Sequence, residues 1–598
     1  MKNMLRCPLR ALFVVSVSVA ATTARAEDWP TYRKDGARSG ITNARLDFPL
    51  GTAWVRHMPR APRPAWPEAG RAFSVFEFDY AFMPVVADGF VYLSSSADDS
   101  VYAMDASDGS VRWVYTTGAP VRFAPHIAHG RCYFSSDDGW VYSLDAKTGE
   151  VIWTFRAARD NRMLIGNDRV ISRWPSRSGV LVDGNTVYVV GGMWPSEGVV
   201  PYALDAHTGE VQWRNDTINA LYLAYPHDGL SLGGPTSQGY LLSDGKTLAM
   251  PTGESSPAMF SAETGDLVHW DARGAGSTWA TLIDGFVATP ARAWQPDLPT
   301  RLGEMELIQP DGLDFYSLEG GRGDYGKWNR YDDLPDSPRE GTRRQRGQIA
   351  PIGGRNRVVY TGDRFYASGM GELDAVDCSG DDLKRLWKIE HERIYSLALA
   401  DDVLIAGSDG FVSAMKTENG EEIWRGGVDG QARGLAIAGD TLYVSTEQGT
   451  LYAFAPGHEL APARRRTATK PRDPEGFALV VGSMDTTAAE RLAAERNLHV
   501  LVLLPDDQSV QEARERLLRH EEYCYGHDIV VHQSPEGGTL PYGDYFASEV
   551  LVIGGAENIR PSEIYRVVRP ITGRMRFVDM NERQIDEFAR RAGIPEEE

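Results

Sequence analysis

Apolar and polar residues alternate with a period of two in short runs along most of the chain. In Val141-Tyr-Ser-Leu144, Val141 and Ser143 fall on one side and Tyr142 and Leu144 on the other, the pattern of a short strand. Asp145 to Gly149 follows with turn chemistry, since an Asp carboxylate can bond the backbone ahead and Gly149 can take positive φ. Val151 and Trp153 open the return strand. Upstream, Gly130-Arg-Cys-Tyr-Phe-Ser-Ser-Asp-Asp-Gly139 supplies another strand and an Asp-Gly hairpin turn. The same strand-turn pattern occurs at 88–94, 183–190, 402–410 and 439–449, so each unit holds about four strands, the size of a propeller blade.

The unit repeats. Val101-Tyr-Ala-Met-Asp-Ala-Ser-Asp-Gly-Ser-Val-Arg-Trp113 returns as Val141-Tyr-Ser-Leu-Asp-Ala-Lys-Thr-Gly-Glu-Val-Ile-Trp153 and as Pro201-Tyr-Ala-Leu-Asp-Ala-His-Thr-Gly-Glu-Val-Gln-Trp213. Weaker copies end at Trp270, Trp387 and Trp424, and a half-copy, Leu451-Tyr-Ala-Phe454, closes the series. Trp54 has no repeat ahead of it, and the last strands lack a Trp strand, so the strand of Trp54 is expected to complete the final blade and remove its open edge. Counting Trp54 and a degenerate unit near Trp328 gives eight blades, with seven the alternative. Trp113 and Trp153 are 40 residues apart, a lean blade, whereas Trp153 and Trp213 are 60 apart, so 156–180 is partly an insertion. Residues 311–346, rich in Gly, Arg and Asp, read as a surface loop.

The pattern Ala-x-Asp-Ala-x-Thr-Gly-x-x-x-Trp resembles the repeat of the pyrroloquinoline quinone (PQQ) proteins. In that family the Trp packs between adjacent blades beside a neighbour's Thr-Gly turn, which gives Trp113, Trp153, Trp213, Trp270, Trp387 and Trp424 a structural role. Trp29-Pro-Thr-Tyr-Arg-Lys-Asp-Gly-Ala-Arg-Ser-Gly40 resembles the start of exported members. The resemblance implies one of two functions: a dehydrogenase holding PQQ with calcium on the propeller axis, or a noncatalytic scaffold such as the outer-membrane assembly factor. The dehydrogenases use an Asp base and often a Cys-Cys pair; this chain has no Cys-Cys pair, and no segment matches the catalytic Asp region. The expectation is a binding or scaffolding protein with no catalytic residue and no metal ligand assigned, and a PQQ-dependent oxidoreductase is the alternative.

The repeats stop at Phe454, and a Pro- and Arg-rich linker over 457–474 follows the propeller of 27–456. In 475–598 the period changes. Strands are expected at 477–481, 498–504, 529–532, 550–553 and 574–578, with helices at 486–496, 509–520 (capped by Ser509), 561–568 and 581–591. This alternation indicates a small doubly wound, Rossmann-like α/β domain. Its order resembles a class I S-adenosylmethionine (SAM) methyltransferase, with Tyr565-Arg-Val-Val-Arg-Pro570 placed as the segment after the fourth strand. The family's Gly-x-Gly-x-Gly falls on Gly482, Met484 and Thr486, and its ribose-binding acid falls on Leu504, with Asp506 two residues late. Gly482, Asp485 and Asp506 are what remains of a cofactor site. SAM is not expected to bind, and methyl transfer is a lesser alternative.

Residues 1–26 read as a signal peptide: Lys2, Arg6 and Arg10 precede the apolar run 11–21, and Ala24-Arg25-Ala26 is a small-x-small cleavage site. A periplasmic or secreted protein is expected, with no integral membrane segment. Loss of Lys2, Arg6, Arg10 and Arg25 moves the formal charge from −21 to −25, which opposes nucleic-acid binding. Cys132, Cys378 and Cys524 remain, an odd number far apart in sequence and no disulfide framework. Within this acidic chain the insertion gathers cations: Arg162, Arg169, Arg173 and Arg177, with Trp174, and with Trp194 and Glu197 after the next strand. Guanidinium forks suit carboxylate, sulfate or phosphate, and an exposed Trp suits a sugar or quinone ring, so these seven residues form the candidate ligand site; a salt-bridged plug is the alternative. The expected partner is a protein or polymer on one propeller face.

Overall fold

A computed structural model describes residues 27–66, 78–290, 357–463, 474–520 and 525–595, apart from 225–229, 254, 271, 273–276, 284–285, 370 and 380–383; between 291 and 356 only strand backbone is described. The signal-peptide expectation lies outside these residues. The chain is predominantly β and builds a propeller of small antiparallel sheets.

The first sheet orders its strands as they occur: Val85–Ala87, Phe90–Ser95, Ser100–Asp105 and Val111–Thr116. Sheets of the same design follow over 126–156, 181–214, 242–269, 281–328 (by backbone), 357–390 and 396–427. The inner three strands are buried on both faces, as in Arg131–Ser135 and Trp140–Asp145, because a neighbouring sheet covers each face. The outermost strand, such as Val151–Arg156, is exposed at alternate or successive positions. The strand Glu422–Ala438 runs on from one sheet into the next: it pairs with Asp409–Lys416 through its first part and with Thr441–Thr446 through its second. The last sheet is finished from the other end of the chain, since Leu50–His57 pairs antiparallel with Thr450–Pro456 and sets Trp54 opposite Ala453.

The repeat residues lock each sheet to the next. Asp145 accepts the N–H groups of Lys147 and Thr148 at 2.9 Å each, Gly149 N–H returns to the Asp145 carbonyl, and Gly149 sits at φ 77°. This tight turn leaves the Ala146 carbonyl free of the sheet ladder, and two donors from the preceding sheet use it: Trp113 Nε1 at 3.0 Å and Tyr92 OH at 3.0 Å. Trp153 and Tyr133 converge likewise on Ala206, and Trp213 and Tyr188 on Ala262. Trp387 reaches Thr417 and Trp424 reaches Leu50. Trp54 and Tyr443 of the last sheet both reach Ala106 of the first, at 2.9 and 3.3 Å, so the succession returns to its start. The indole packs against the turn glycine so closely that a Cβ on Gly149 would lie 2.8 Å from the Trp113 ring. Trp270 Nε1 donates to Ser255 Oγ within its own sheet, and the turn of the next sheet that it is expected to face lies outside the described residues. The stretch 311–346, expected as loop, contains the short strands Phe315–Glu319, Lys327–Trp328, Arg330–Asp332 and Arg344–Arg346.

Beyond 474 five parallel strands lie in the order Ile529–Gln533, His499–Leu504, Phe477–Val481, Glu549–Ile553, Arg574–Val578. The helices are Thr487–Glu495, Asp507–Leu518, Pro561–Arg566 and Glu582–Ala592. The cap of the second is Asp506, which accepts Ser509 N–H at 2.8 Å; Ser509, expected as the cap, lies in the first turn as the donor.

This unit docks on the propeller. Three consecutive carbonyls leaving the first sheet each receive one donor: Thr116 from Arg514 Nη1 (3.2 Å), Thr117 from Tyr525 OH (2.9 Å) and Gly118 from His532 Nε2 (2.8 Å). The insertion supplies an arm on the other side. It folds as a hairpin of Met163–Gly166 and Arg169–Ser172; Met163 N–H bonds Pro541 O, and Val170 joins the apolar cluster of Leu540, Tyr542 and Phe546. Arg169 and Asp99, both fully buried, form an ion pair beneath the contact.

Two outcomes follow from this packing. Gly149→Ala and Gly184→Ala both place Ala at positive φ, but only the first meets a ring, the Cβ of the second pointing into open space. The first is expected to lose about 1–3 kcal/mol more in denaturant unfolding. Burial lowers the His532 pKa to about 4, so the imidazole stays neutral while donating to Gly118. A folded pKa below the unfolded value of about 6.5 means the stabilisation is complete above that pH and is lost as pH falls toward 4. Unfolding midpoints measured from pH 7 to 4 should decline over this window, and less steeply in His532→Gln.

Candidate functional site

The propeller axis is where chain segments from many sheets converge. The opening segment 29–42 crosses one end of it. Trp29 exchanges both backbone hydrogen bonds with Val86 of the first sheet, and Pro30 O accepts from Ile127 of the second. Further along, Gly36 O accepts from Ser243, Ala37 O from Leu282 and Gly40 O from Leu399. Arg38 Nε reaches Leu241 O, and Arg33 reaches Leu397 O and Val358 O. The segment is therefore stapled to six sheets through the inner strands. Arg33, Lys34 and Arg38 hold positive φ (52°, 80° and 59°), conformations that persist for residues with a Cβ only where surrounding bonds over-determine them.

Above this plug lies a cavity of about 40 Å³. Trp29, Tyr32 and Arg33 line it from the plug, and Phe78, Tyr80, Tyr240, Trp279, Arg357, Tyr395 and Arg433 line it from the sheets. These ring residues enter from the first sheet and from the fourth through the last, which places the cavity on the axis. Tyr32 stacks on Tyr240 at 3.7 Å, and Phe123 of the second sheet packs on both Phe78 and Tyr240.

Beyond this aromatic layer is a buried polar cluster. Arg122 Nη1 meets Asp79 at 2.7 Å, Arg122 Nε meets Asp137 at 2.6 Å, and Arg177 Nη2 meets Asp137 at 3.2 Å, all nearly inaccessible to solvent. The two carboxylates hold Arg122 above the ordinary guanidinium pKa despite its burial, whereas burial brings Arg177 down to about 10, still charged at neutral pH. Trp66 Nε1 donates to Gln238 beside this cluster and meets Trp194 edge-on at 5.9 Å.

The seven candidate ligand residues divide between three places. Arg162, Arg173, Trp174 and Glu197 come together: Arg173 pairs with Glu197, the guanidinium carbons of Arg162 and Arg173 lie 4.9 and 5.6 Å from the Trp174 ring centroid, and Trp174 Nε1 donates to Glu197 O. Trp194 borders them through its carbonyl, which accepts Glu197 N–H. Arg162 also pairs with Asp160. These side chains engage one another. Arg169 departs to Asp99 at the domain contact, and Arg177 departs to the axial cluster. In the C-terminal unit, Gly482 sits at φ 77° with Ile553 O only 2.1 Å from where a Cβ would be, Asp485 caps Thr487 N–H, and Asp506 caps its helix, so all three have local backbone roles.

Arg122, Asp79, Asp137, Arg33 and Trp279 were missed from the sequence. Asp137 belongs to an Asp-Asp-Gly string that reads as turn chemistry, and Arg122 is a lone cation between apolar residues. The one available signal was that Arg, a residue rarely buried unpaired, sits at 122 in Pro120-Val-Arg-Phe-Ala124.

Removing one partner from a buried charge group leaves the others uncompensated. Arg122→Ala is expected to cost about 3–5 kcal/mol, against less than about 1 kcal/mol for Arg173→Ala in its half-exposed pair, as read from chemical denaturation.

Several known proteins are similar to this chain. Among solved structures, quinohemoprotein alcohol dehydrogenase from Comamonas testosteroni is similar at 18% identity, over 79% of this chain and 85% of that one, with a TM-score of 0.49. Quinohemoprotein alcohol dehydrogenase ADHIIG from Pseudomonas putida HK5 is similar at 16%, over 79% and 86%, with a TM-score of 0.48. BamB from Moraxella catarrhalis is similar at 13%, over 68% and 99%, with a TM-score of 0.42. A comparison with curated protein sequences found no match. The family described as "Outer membrane protein assembly factor BamB" matches residues 65–191 and 196–454, more than half of the chain, and this protein belongs to that family of PQQ-like repeat propellers.

Proposed function

We propose that this protein is an exported binding or scaffolding propeller of eight blades, completed by the strand of Trp54 and carrying a docked Rossmann-like domain. The domains are taken as 27–456 and 475–598, joined by 457–474, after a signal peptide of 1–26. The observation that carries the reading is the filling of the axis. A quinone on the axis needs a slot as wide as a fused ring system and carboxylates to hold calcium. The axial cavity, at about 40 Å³, has room for about three water-sized groups. Among the described residues lining it there is no carboxylate, and the nearby Asp79 and Asp137 are engaged by Arg122 and Arg177. The lining does not fit PQQ with calcium, so no catalytic step is derived through it. The C-terminal loop does not fit SAM either, because Asp485 is engaged by the Thr487 N–H and Asp506 caps its helix.

The surface that suits a protein partner is the hairpin of Leu221–Ala224 and Leu230–Gly233, inserted between two sheets. Tyr222 and Leu232 face each other across it and are 66% and 67% exposed, an unusual placement for two large apolar side chains. No helix among the described residues is long and apolar enough to cross a membrane.

The test is to mix the full-length protein with PQQ and calcium, remove free cofactor by gel filtration, and record absorbance and dye reduction with alcohols. No retained quinone absorbance and no reduction are expected. Stoichiometric retention of PQQ contradicts the reading and favours the oxidoreductase alternative.

A further inference from the structure

The outer strand of the first sheet, Val111–Thr116, is held on one side by Ser100–Asp105, and no other strand among the described residues pairs with it. The ladder shows which backbone groups face outward. Thr117 N–H bonds Asp99 O, and the register sets Tyr115 opposite Val101 and Trp113 opposite Ala103. Opposed residues of an antiparallel pair alternate between those that exchange backbone bonds and those that do not. Thr117, Tyr115 and Trp113 therefore turn their backbone groups toward the sheet, and Thr116 and Val114 turn theirs away. The Thr116 carbonyl agrees, since it accepts from Arg514 Nη1 of the docked unit. Val114 is left with an N–H and a C=O that both point outward.

This edge borders a groove. The helix Asp507–Leu518 lies along it and contributes Gln511, Glu515 and Leu518, with Arg519 just beyond, spaced as one helical face. The turn 148–151 of the second sheet and residues 56–59 line the remainder. All six residues from Val111 to Thr116 border the space, as they do when a groove runs along the edge of a strand. Its volume, about 770 Å³, falls within the roughly 300–1,000 Å³ common for ligand sites. The groove is continuous with the domain contact, because Arg514 of the same helix takes the Thr116 carbonyl at its end.

We infer that this groove docks an extended segment of another protein, which adds to the first sheet as a fifth strand through the Val114 N–H and C=O. Main-chain bonds to an open sheet edge supply affinity in this mode, and alternate side chains supply selectivity. Val111, Val114, Met58 and Leu518 give the groove its apolar surface. The fitting partner is therefore a β-forming segment with apolar residues at every second position. An open edge accepts any chain that can pair with it, and the helix narrows that choice to a single strand entering the groove. The inference rests on the binding reading and names a partner for it. PQQ retention tests that reading and peptide binding tests the groove, so each can fail alone.

The test titrates the full-length protein with a fluorescent, end-blocked hexapeptide of alternating valine and threonine, and follows backbone hydrogen exchange over residues 111–116. One saturable site is expected, with slower exchange of 111–116 when it is filled. Two further peptides carry N-methyl groups on the valines or on the threonines. One of them should bind and the other should not, because only one set of N–H groups faces the strand. Val114→Pro removes an N–H that the sheet does not use, a substitution edge strands accommodate, and should weaken binding roughly tenfold. Val114→Thr keeps that N–H and should bind as the wild type does. Leu518→Ala, on the helix wall, should weaken binding roughly threefold. Absence of saturable binding overturns the inference, as does equal binding of both methylated peptides, unchanged exchange of 111–116 at saturation, or wild-type affinity in both Val114→Pro and Leu518→Ala. Dimerisation of the protein that the peptide reverses assigns the groove to a second copy of this chain and also overturns it.

Discussion

An indole on the outer strand of one sheet donates to a carbonyl that the next sheet's turn has turned outward, and a tyrosine from the same sheet donates to that carbonyl as well. The rest of the structure depends on this pair of contacts. It is directional, so it fixes the angle between sheets as well as their adherence. It also requires a turn that presents its carbonyl sideways and has no Cβ under the ring, which is why Asp, Ala and Gly recur together. Ala146, Ala206, Ala262 and Ala106 all serve as acceptors in this way. The last of these joins the end of the repeat region to its beginning.

A ring held from its outer part leaves the axis to be filled separately, and this protein fills it with segments that do not belong to the repeats. The segment 29–42 staples six sheets together at one end. The loops that leave the first and second sheets carry the C-terminal unit, with the insertion hairpin as a second support. Charge is distributed to suit: arginines that would be costly alone are placed against aspartates, as at 122 and 169, or against carbonyls and aromatic rings, as at 33.

The repeat architecture was legible in the sequence because each unit writes its own strand period, turn and wedge within about forty residues. The closing role of Trp54 could be read from what was missing at the other end. The tyrosine that shares the acceptor was also within reach: Tyr92, Tyr133 and Tyr188 each precede the wedge Trp by 20 to 25 residues. The axial contents were not legible. Arg33, Asp79, Arg122, Trp279 and Arg433 are scattered over 400 residues and meet only because sheets far apart in sequence share an axis. The cations of the insertion were visible as a cluster, but sequence proximity did not mean one site, since neighbouring positions on a twisted hairpin point to solvent, to the partner domain and to the axis.

The central claim is that a strand from the beginning of the chain completes the last sheet. His57 and Thr450 are partners across that junction, with His57 Nδ1 3.0 Å from Thr450 Oγ1. The most direct test is the double variant His57→Cys with Thr450→Cys, oxidised under native conditions and run on a non-reducing gel. The account predicts rapid, near-complete formation of a compact, faster-migrating species that reducing agent reverses and that neither single variant gives. Failure to cross-link while folded, or cross-linking only between molecules, contradicts it.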